Sequence, residues 1–410
     1  MNIQSRNHPT EIVYYGVNRW ESLIQREQHL IAGLSRTYRV LFVDPPLSYL
    51  TVFGGKVQGR KLAFKSKVRW VNDRLIVYSP PAFPPFSQYS RWVNSFHCRL
   101  LIALTQRLLE RLSFKKFILG IARPFLSGVV EGLGAELSYY DCADDYLEFP
   151  ALRARKKMLR RSEEELLKSV DLVFCSSRGL VESKSPSNGN CFLIPNGVDL
   201  ASFRDLPNLK GEIPSGMEEI KKPILGYIGT IGEWFDFEVL LGVASARPDW
   251  SIVLVGPSTV KRISSIFGDL RNVYWMGEKD YDELYKYLGV FDVCLIPFQV
   301  NEFTQKIYPT KIHQYLAAGK PVVSSPLPEL LPFAPPVEFY STSEEMEVKI
   351  EKSLREDSEN KVRERRRIAG ENTWDQRVES MIRIFHQFLS QRETSRQIAQ
   401  DTQASKRTER

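Results

Sequence analysis

The sequence predicts an α/β chain of two Rossmann-like domains, on three observations. Its 410 residues exceed what one ordinary core encloses, so two domains are expected. Short apolar runs of strand length alternate with runs of helix length, and they do so in two separate series. Between the series, residues 205–223 are rich in Pro, Gly and charge, the composition of a linker.

The elements follow in order. Residues 12–16 read as a first strand, 21–35 as a helix and 39–43 as a second strand, ended by Asp44, Pro45 and Pro46. Alternation continues with strands at 116–120, 137–140, 172–176 and 191–194 and a helix over 152–169. The second series opens at 224–228 and continues at 251–255, 273–275 and 293–297. Residues 314–318 suit a helix, Gly319 its C-terminal cap and 321–324 the next strand. The expected division is 1–205 for the first domain and 206–372 for the second, with a helix over 373–389. Residues 390–410 are polar and charged, and are expected to be disordered. Ligands of such sheets belong at the carboxyl ends of the strands, here in a cleft between the domains.

Composition narrows the class. A hydrophobic content of 43% is that of a soluble globular protein. No apolar run approaches the roughly 20 residues that span a bilayer, and no signal peptide opens the chain, so a cytoplasmic location is expected. Cys98, Cys142, Cys175, Cys191 and Cys294 are scattered without a C-x-x-C pair, which suits reduced, buried side chains. The net charge of +7 is concentrated between Lys56 and Arg123, where the acids are Asp73 and Glu110 alone. Trp70, Phe83, Phe86, Tyr89, Trp92 and Phe96 are interleaved with these cations. That mixture suits peripheral attachment to an anionic membrane or a lipid-linked acceptor. A solvated basic face over an aromatic core is the plainer alternative. Nucleic acid is not expected, because no nucleic-acid module accompanies the charge.

The motif with most chemical content is the run from Phe291 to Ser325. Pro309 suits a first helical turn, after which Thr310 and Lys311 offer a hydroxyl, free backbone N–H groups and a cation where a helix dipole favours an anion. An ordinary strand-helix-strand unit with solvated lysines would read the same locally. Gly229, Thr230 and Gly232 follow the first strand of the second series, and glycines there let backbone approach a phosphate.

Taken in order, IPNGVD at 194–199, the GKPVV run at 319–323 and TWDQRV at 373–378 resemble retaining GT-B glycosyltransferases of the family 4 type. The similarity is greatest to bacterial teichuronic-acid and exopolysaccharide glycosyltransferases, through EWFD at 233–236, IPFQVNE at 296–302 and KIHQYLAAGKPVV at 311–323. It extends over most of residues 11–388. The resemblance implies a GT-B fold whose last helix crosses back to the first domain, a nucleotide-sugar donor on the second domain, and neither bound metal nor further cofactor. It places the donor at Gly229, Thr230, Gly232, Gly277, Lys306, Thr310, Lys311 and Gln314. This chain departs from the family in carrying Thr230 and Phe235 where an arginine and a lysine are usual, and Lys306 and Gln314 where a pair of glutamates is usual. Lys311 is the expected source of the missing positive charge. Gln314 can still accept a ribose hydroxyl through its carbonyl oxygen.

In the first domain the acidic, aromatic run YYDCADDY at 139–146 ends a strand, so Asp141, Asp144 and Asp145 are candidates for orienting an acceptor hydroxyl. Asp144 and Asp145 join Lys311 as the expected catalytic groups. Arg19, Arg26 and His29 lie at the first strand-helix junction, and Arg26 suits an acidic acceptor. Glu233 and Asp236 are expected to meet the acceptor from the second domain. Helix capping, salt bridging or core packing explains any one of these residues equally well. The expected activity is transfer of a sugar from a nucleotide sugar to a glycan or lipid-linked acceptor in cell-surface polysaccharide assembly. The alternative is a catalytically weak GT-B binding subunit. A dehydrogenase or epimerase lacks its G-x-G-x-x-G opening.

Overall fold

The computed structural model describes residues 9–22, 24–50, 65–149, 154–203, 213–268 and 270–408. Lys56, Arg60 and Lys61 of the basic stretch lie outside them. The chain forms two compact units, Met1–Ser176 with Leu180–Ile194 and Arg377–Arg410, and Ser177–Gly179 with Pro195–Gln376. Each holds one sheet, as the expected fold class requires.

In the first unit the strands are β1 Glu11–Tyr15, β2 Arg39–Val43, β3 Lys67–Trp70, β4 Leu75–Ser79, β5 Phe117–Ile121, β6 Leu137–Cys142, β7 Leu172–Cys175 and β8 Cys191–Leu193. Among the described residues their order is β3-β4-β2-β1-β5-β6-β7-β8. All neighbours are parallel except β3 and β4, which form an antiparallel edge. The central strands are buried on both faces and read as unbroken apolar runs, the mark of a helix-covered parallel sheet. The edge pair β3–β4 and the helix Arg91–Leu112 were not anticipated, since β3 is mostly exposed and apolar burial alone does not mark it.

The second unit carries β9 Ile224–Ile228, β10 Ser251–Val255, β11 Val273–Trp275, β12 Val293–Ile296, β13 Val322–Ser324 and β14 Val337–Phe339. These run parallel in the order β11-β10-β9-β12-β13-β14. In each sheet the direction of strand addition reverses beside the first strand of the unit, at β1/β5 and at β9/β12. The carboxyl ends of strands at such a reversal diverge and leave a crevice for ligand.

Three expectations are corrected. The units part at Ile194, not at 205, because the PNGVD that follows it packs into the second unit. Val198 bridges Thr373, the Trp374 N–H donates to the Val198 carbonyl, and the Asn196 amide donates to the Tyr308 carbonyl at 2.9 Å. The last helix does not stop at 389 and give way to a disordered tail; it runs Trp374–Thr408. Its apolar stripe ends with the buried Phe385 and Leu389, after which Arg392 pairs with Asp171 and Arg396 with Glu136 at 2.8 Å. Those ion pairs hold turns that have no apolar residue to bury. The cysteines are also less scattered than the sequence suggests: Cys142 and Cys175 are register partners on β6 and β7, and Cys191 lies on the next strand. Among the described residues, no helix is long and apolar enough to cross a membrane.

At Gly226, in the middle of β9, an added Cβ would lie 1.9 Å from the ring of the buried Phe291. Gly226→Ala is therefore expected to cost about 1–3 kcal/mol by overpacking. A denaturant melt should show the loss, and Phe291→Leu in the same chain should recover part of it.

Candidate active site

The second unit builds its site on three turns at adjacent strand ends. Gly229 after β9, Gly256 after β10 and Gly277 after β11 have φ of +142°, +137° and +68°. A side chain is strained in that region, and only glycine enters it without penalty. The turns are stacked backbone to backbone. The Gly229 N–H donates to the Val255 carbonyl at 2.9 Å and the Gly256 N–H to the Gly277 carbonyl at 2.7 Å. A Cβ on Gly256 would stand 2.3 Å from the Gly229 oxygen. Gly256 was missed in the sequence because it lies alone before Pro257, without a glycine-rich pattern to mark it.

Helix Lys311–Ala317 is fastened to these turns by its tyrosine. The Tyr315 hydroxyl accepts the Ile228 N–H at 2.9 Å, at the last residue of β9. Pro309 and Thr310 form the entering turn, and Gly319, at φ +76°, closes the helix as expected. Lys311 is thereby laid along Gly229, where an added Cβ would be 3.0 Å from its Cε and 3.4 Å from Nζ. The ammonium lies 4.8 Å from the centre of the Phe298 ring and 5.2 Å from that of Tyr227. Among the described residues no carboxylate pairs with it. Burial lowers its pKa to about 8. A cation held by ring faces, with no anion of its own, is a receptor for one. Lys320, nearby in sequence, is by contrast committed to structure, donating to the Gly289 and Phe291 carbonyls at 2.8 and 2.7 Å.

The other donor candidates divide. The Thr230 carbonyl is held by the Tyr227 hydroxyl at 2.8 Å, which shapes the glycine turn, and its side chain is half-buried beside it. Gln314 is half-buried on the helix and its amide has no partner among the described residues. Lys306 ends the short turn Thr304–Lys306 and is half-buried. Gly232 serves packing, since a Cβ there would meet the Trp234 ring at 2.4 Å. Asp236 is corrected: it caps helix Phe237–Ala246, accepting the Val239 N–H at 3.2 Å. Phe235, where relatives carry a lysine, is fully buried against Tyr227. Glu233 and Glu302 are exposed.

In the first unit, two of the expected acceptor ligands bind each other. Arg26 Nε and Nη2 lie 3.0 Å from Asp141 Oδ1, Nη1 donates to the Ile194 carbonyl at 2.7 Å, and the Tyr14 hydroxyl donates to Asp141 Oδ2 at 3.0 Å. Both residues are almost fully buried, so this pair holds β1, β6 and β8 together. Asp145 is corrected likewise. It accepts the Leu147 N–H at 3.3 Å and faces the buried Lys184 at 3.9 Å, whose ammonium donates to Glu163 at 2.8 Å. Arg19 lies 3.5 Å from the buried Asp44, and His29 is half-buried in helix Arg26–Leu34.

Asp144 is different. It is half-buried at the carboxyl end of β6, and its carboxyl has no partner among the described residues. Burial raises its pKa to about 7, against the attraction of Arg26 and with the repulsion of Asp145 and Asp141. At the β1/β5 reversal stand two groups that the sequence did not disclose. Glu27 accepts the Val17 and Asn18 N–H groups, each at 2.8 Å, and burial nonetheless raises it to about 7. Arg123 follows β5 where the Ala122 N–H bonds the Tyr15 carbonyl at 3.1 Å. It is half-buried, and while its carbonyl accepts the Leu126 N–H at 3.0 Å, its guanidinium makes no hydrogen bond or ion pair among the described residues. Burial lowers its pKa, opposed by Cys98, Tyr146 and Glu27. Lone residues without a motif carry no signal of this kind in sequence.

Two parallel sheets, each with its polar groups at the strand reversal, define the GT-B class. Solved structures agree. Sucrose-phosphate synthase from Thermosynechococcus elongatus superposes with a TM-score of 0.69 at 14% identity, over 93% of this chain and 99% of that one. HepE of Anabaena in complex with UDP and glucose gives 0.61 at 13% identity, over 92% and 98%. An E. coli structure described as trehalose-6-phosphate bound with UDP-2-fluoro glucose gives 0.64 at 13%, over 92% and 98%. Within that class, residues 222–333 match the family model for glycosyl transferases group 1. The chain is also 31% identical over 204 residues to a Bacillus subtilis (strain 168) protein provisionally named teichuronic acid biosynthesis glycosyltransferase TuaH. That match spans 46% of this chain and 50% of the relative's length. The family resemblance read from the sequence is thus borne out.

Asp141 and Asp144 should respond oppositely to substitution. Asp141→Ala strands a buried arginine and is expected to cost about 3–5 kcal/mol in a denaturant melt. Asp144 has a folded pKa above its unfolded value, so the native state holds an extra proton between about pH 4 and about pH 7 and loses stability as pH rises through that window. Asp144→Asn is expected to remove this loss and to be more stable than the parent above about pH 7, as melts on either side of the window would show.

Proposed function

We propose that the protein is a glycosyltransferase that moves a sugar from a nucleotide sugar to a glycan or lipid-linked acceptor in cell-surface polysaccharide assembly. The observation that carries the reading is the Lys311 ammonium, set against Gly229 between two aromatic faces and, among the described residues, without a carboxylate partner. The glycosyl transferases group 1 match over the same unit and the UDP in the Anabaena neighbour support a nucleoside diphosphate as the anion. Gly229, Thr230 and Gly277 would receive the diphosphate and base through backbone, with Thr310 and Lys306 near its charge and Gln314 on the ribose. As the bond from the anomeric carbon to the diphosphate breaks, negative charge grows on the leaving oxygen, and a fixed cation there stabilises that charge. By resemblance to family 4 the acceptor oxygen bonds the anomeric carbon on the same face. Its proton then passes to the departing diphosphate, with no metal required.

The acceptor end is proposed at Asp144 and Arg123 of the first unit, in place of Arg26, Asp141 and Asp145. A half-buried arginine whose guanidinium has no partner among the described residues suits an acidic acceptor. The relative's association with teichuronic acid supports a cell-envelope polymer as the destination.

Lys311→Ala is expected to weaken nucleoside-diphosphate binding by about 1.5–3 kcal/mol, roughly 10- to 150-fold in Kd, without lowering the melting temperature. Calorimetry on the two proteins checks this. In the parent, affinity should fall as pH rises through about 8, where the ammonium loses its proton. Tight binding with no transfer or donor hydrolysis would instead favour the catalytically weak binding subunit, which the buried Phe235 and the Lys306 and Gln314 departures motivate. Arg123→Ala is expected to lower transfer while leaving nucleoside-diphosphate affinity unchanged.

A further inference from the structure

An exposed aromatic cluster leads into helix Arg91–Leu112. Phe86, Tyr89, Trp92 and Phe96 are 60%, 55%, 88% and 56% exposed, whereas Phe83, just before them, is buried. Trp92 and Phe96 are four apart and share one helical face. The opposite face is anchored: His97, Cys98, Leu101, Thr105, Leu108 and Leu109 are buried, and the Thr105 hydroxyl is 2.7 Å from that of Tyr15. Phe86 sits at φ +71°, a left-handed conformation that a bulky residue rarely adopts. The Tyr89 and Ser90 N–H groups close that turn on its carbonyl at 2.9 and 3.1 Å. The rings are therefore held outward on a rigid support, and soluble proteins seldom leave four neighbouring aromatics in water without a partner.

The chemistry beside the rings indicates which partner. Between Arg91 and Arg107 the helix carries cations and no acid. Along its flank runs a groove of about 240 Å³ whose lining includes Arg91, Asn94, Ser95, Arg99, Arg161 and Glu165. Glu165 meets Arg161 at 3.0 Å and Arg91 at 3.9 Å, so one carboxylate is shared by two guanidinium groups, and Arg99 adds a third cation to the lining. Arg155 lies over the Tyr89 ring at 5.1 Å. Excess positive charge adjoining exposed Trp, Tyr and Phe matches the boundary of an acidic bilayer, where rings enter the acyl edge and arginines meet headgroup phosphates.

We propose that this face is a docking surface for an anionic phospholipid membrane. Phe86, Tyr89, Trp92 and Phe96 enter the interface, and the Arg91–Arg99–Arg161 groove takes a headgroup phosphate. The surface is built from residues 86–107 with Arg155, Arg161 and Glu165, and it does not depend on the donor site.

The test is co-sedimentation of the full chain with vesicles of phosphatidylcholine alone and of phosphatidylcholine with phosphatidylglycerol, at low salt and at physiological salt. Binding to the phosphatidylglycerol vesicles is expected to exceed that to phosphatidylcholine by roughly tenfold or more and to weaken with salt. Trp92→Ala with Phe96→Ala should lower it by a similar factor while leaving the thermal melt unchanged. Arg91→Glu with Arg99→Glu should abolish the lipid preference. Brominated lipid should quench tryptophan fluorescence in the parent, and less so in Trp92→Phe, which still binds. Equal partition into both vesicles, or binding indifferent to all four substitutions, overturns the proposal. A dimer in light scattering that Trp92→Ala dissociates, without lipid binding, overturns it in favour of a second copy as the occupant.

Discussion

The hydrogen bond from the Ile228 N–H to the Tyr315 hydroxyl links the two halves of the proposed donor site. It joins the carboxyl end of β9, where the glycine turn begins, to helix Lys311–Ala317, which carries the cation. Both partners are buried, so the bond is made away from competing water, and losing one partner would leave the other unsatisfied. The rest of the site follows from it. With the helix fixed, the Lys311 stem lies along Gly229, and Tyr227 and Phe298 supply ring faces where a side-chain carboxylate would have neutralised the charge. Gly229 is required twice, for its positive φ and for the space the lysine occupies.

The first unit shows the opposite treatment of charge. Arg26 with Asp141, and Lys184 with Glu163 and Asp145, are buried ions that satisfy one another; the first pair ties strands together and the second ties helices Lys156–Ser169 and Arg178–Lys184 to the loop after β6. A buried pair is weak evidence for function because its members are already occupied. The side chains of Asp144 and Arg123 are less deeply buried and have no such partners among the described residues, and that separates a group available to ligand from one consumed by the fold. The distinction turns on a few ångströms and on which side chain a neighbouring strand presents.

Much of the architecture was legible. The two β/α series, most strands, the glycine turn at 229, the Gly319 cap and the Lys311 helix are all written in local pattern, because apolar periodicity and turn chemistry act over a few residues. The domain boundary, the edge pair β3–β4 and the extended last helix were not. β3 is a mostly exposed edge strand without the apolar run that marks a strand, whereas the boundary and the last helix depend on contacts distant in sequence, Val198 on Thr373 and Arg392 on Asp171. The site was half legible for the same reason. Lys311 sits in a motif, whereas Asp236 and Asp141 looked like ligands until a helix N-terminus and an arginine claimed them.

By itself, then, the sequence determined the fold class, the family resemblance and the placing of a cation after a strand and a proline turn. These rest on residue type and spacing, which the chain carries before it folds. Only the tertiary structure decided which charged groups remain available. Strand order sets which carboxyl ends lie side by side, and burial then compels the ions it encloses to pair with whatever neighbour that order supplies.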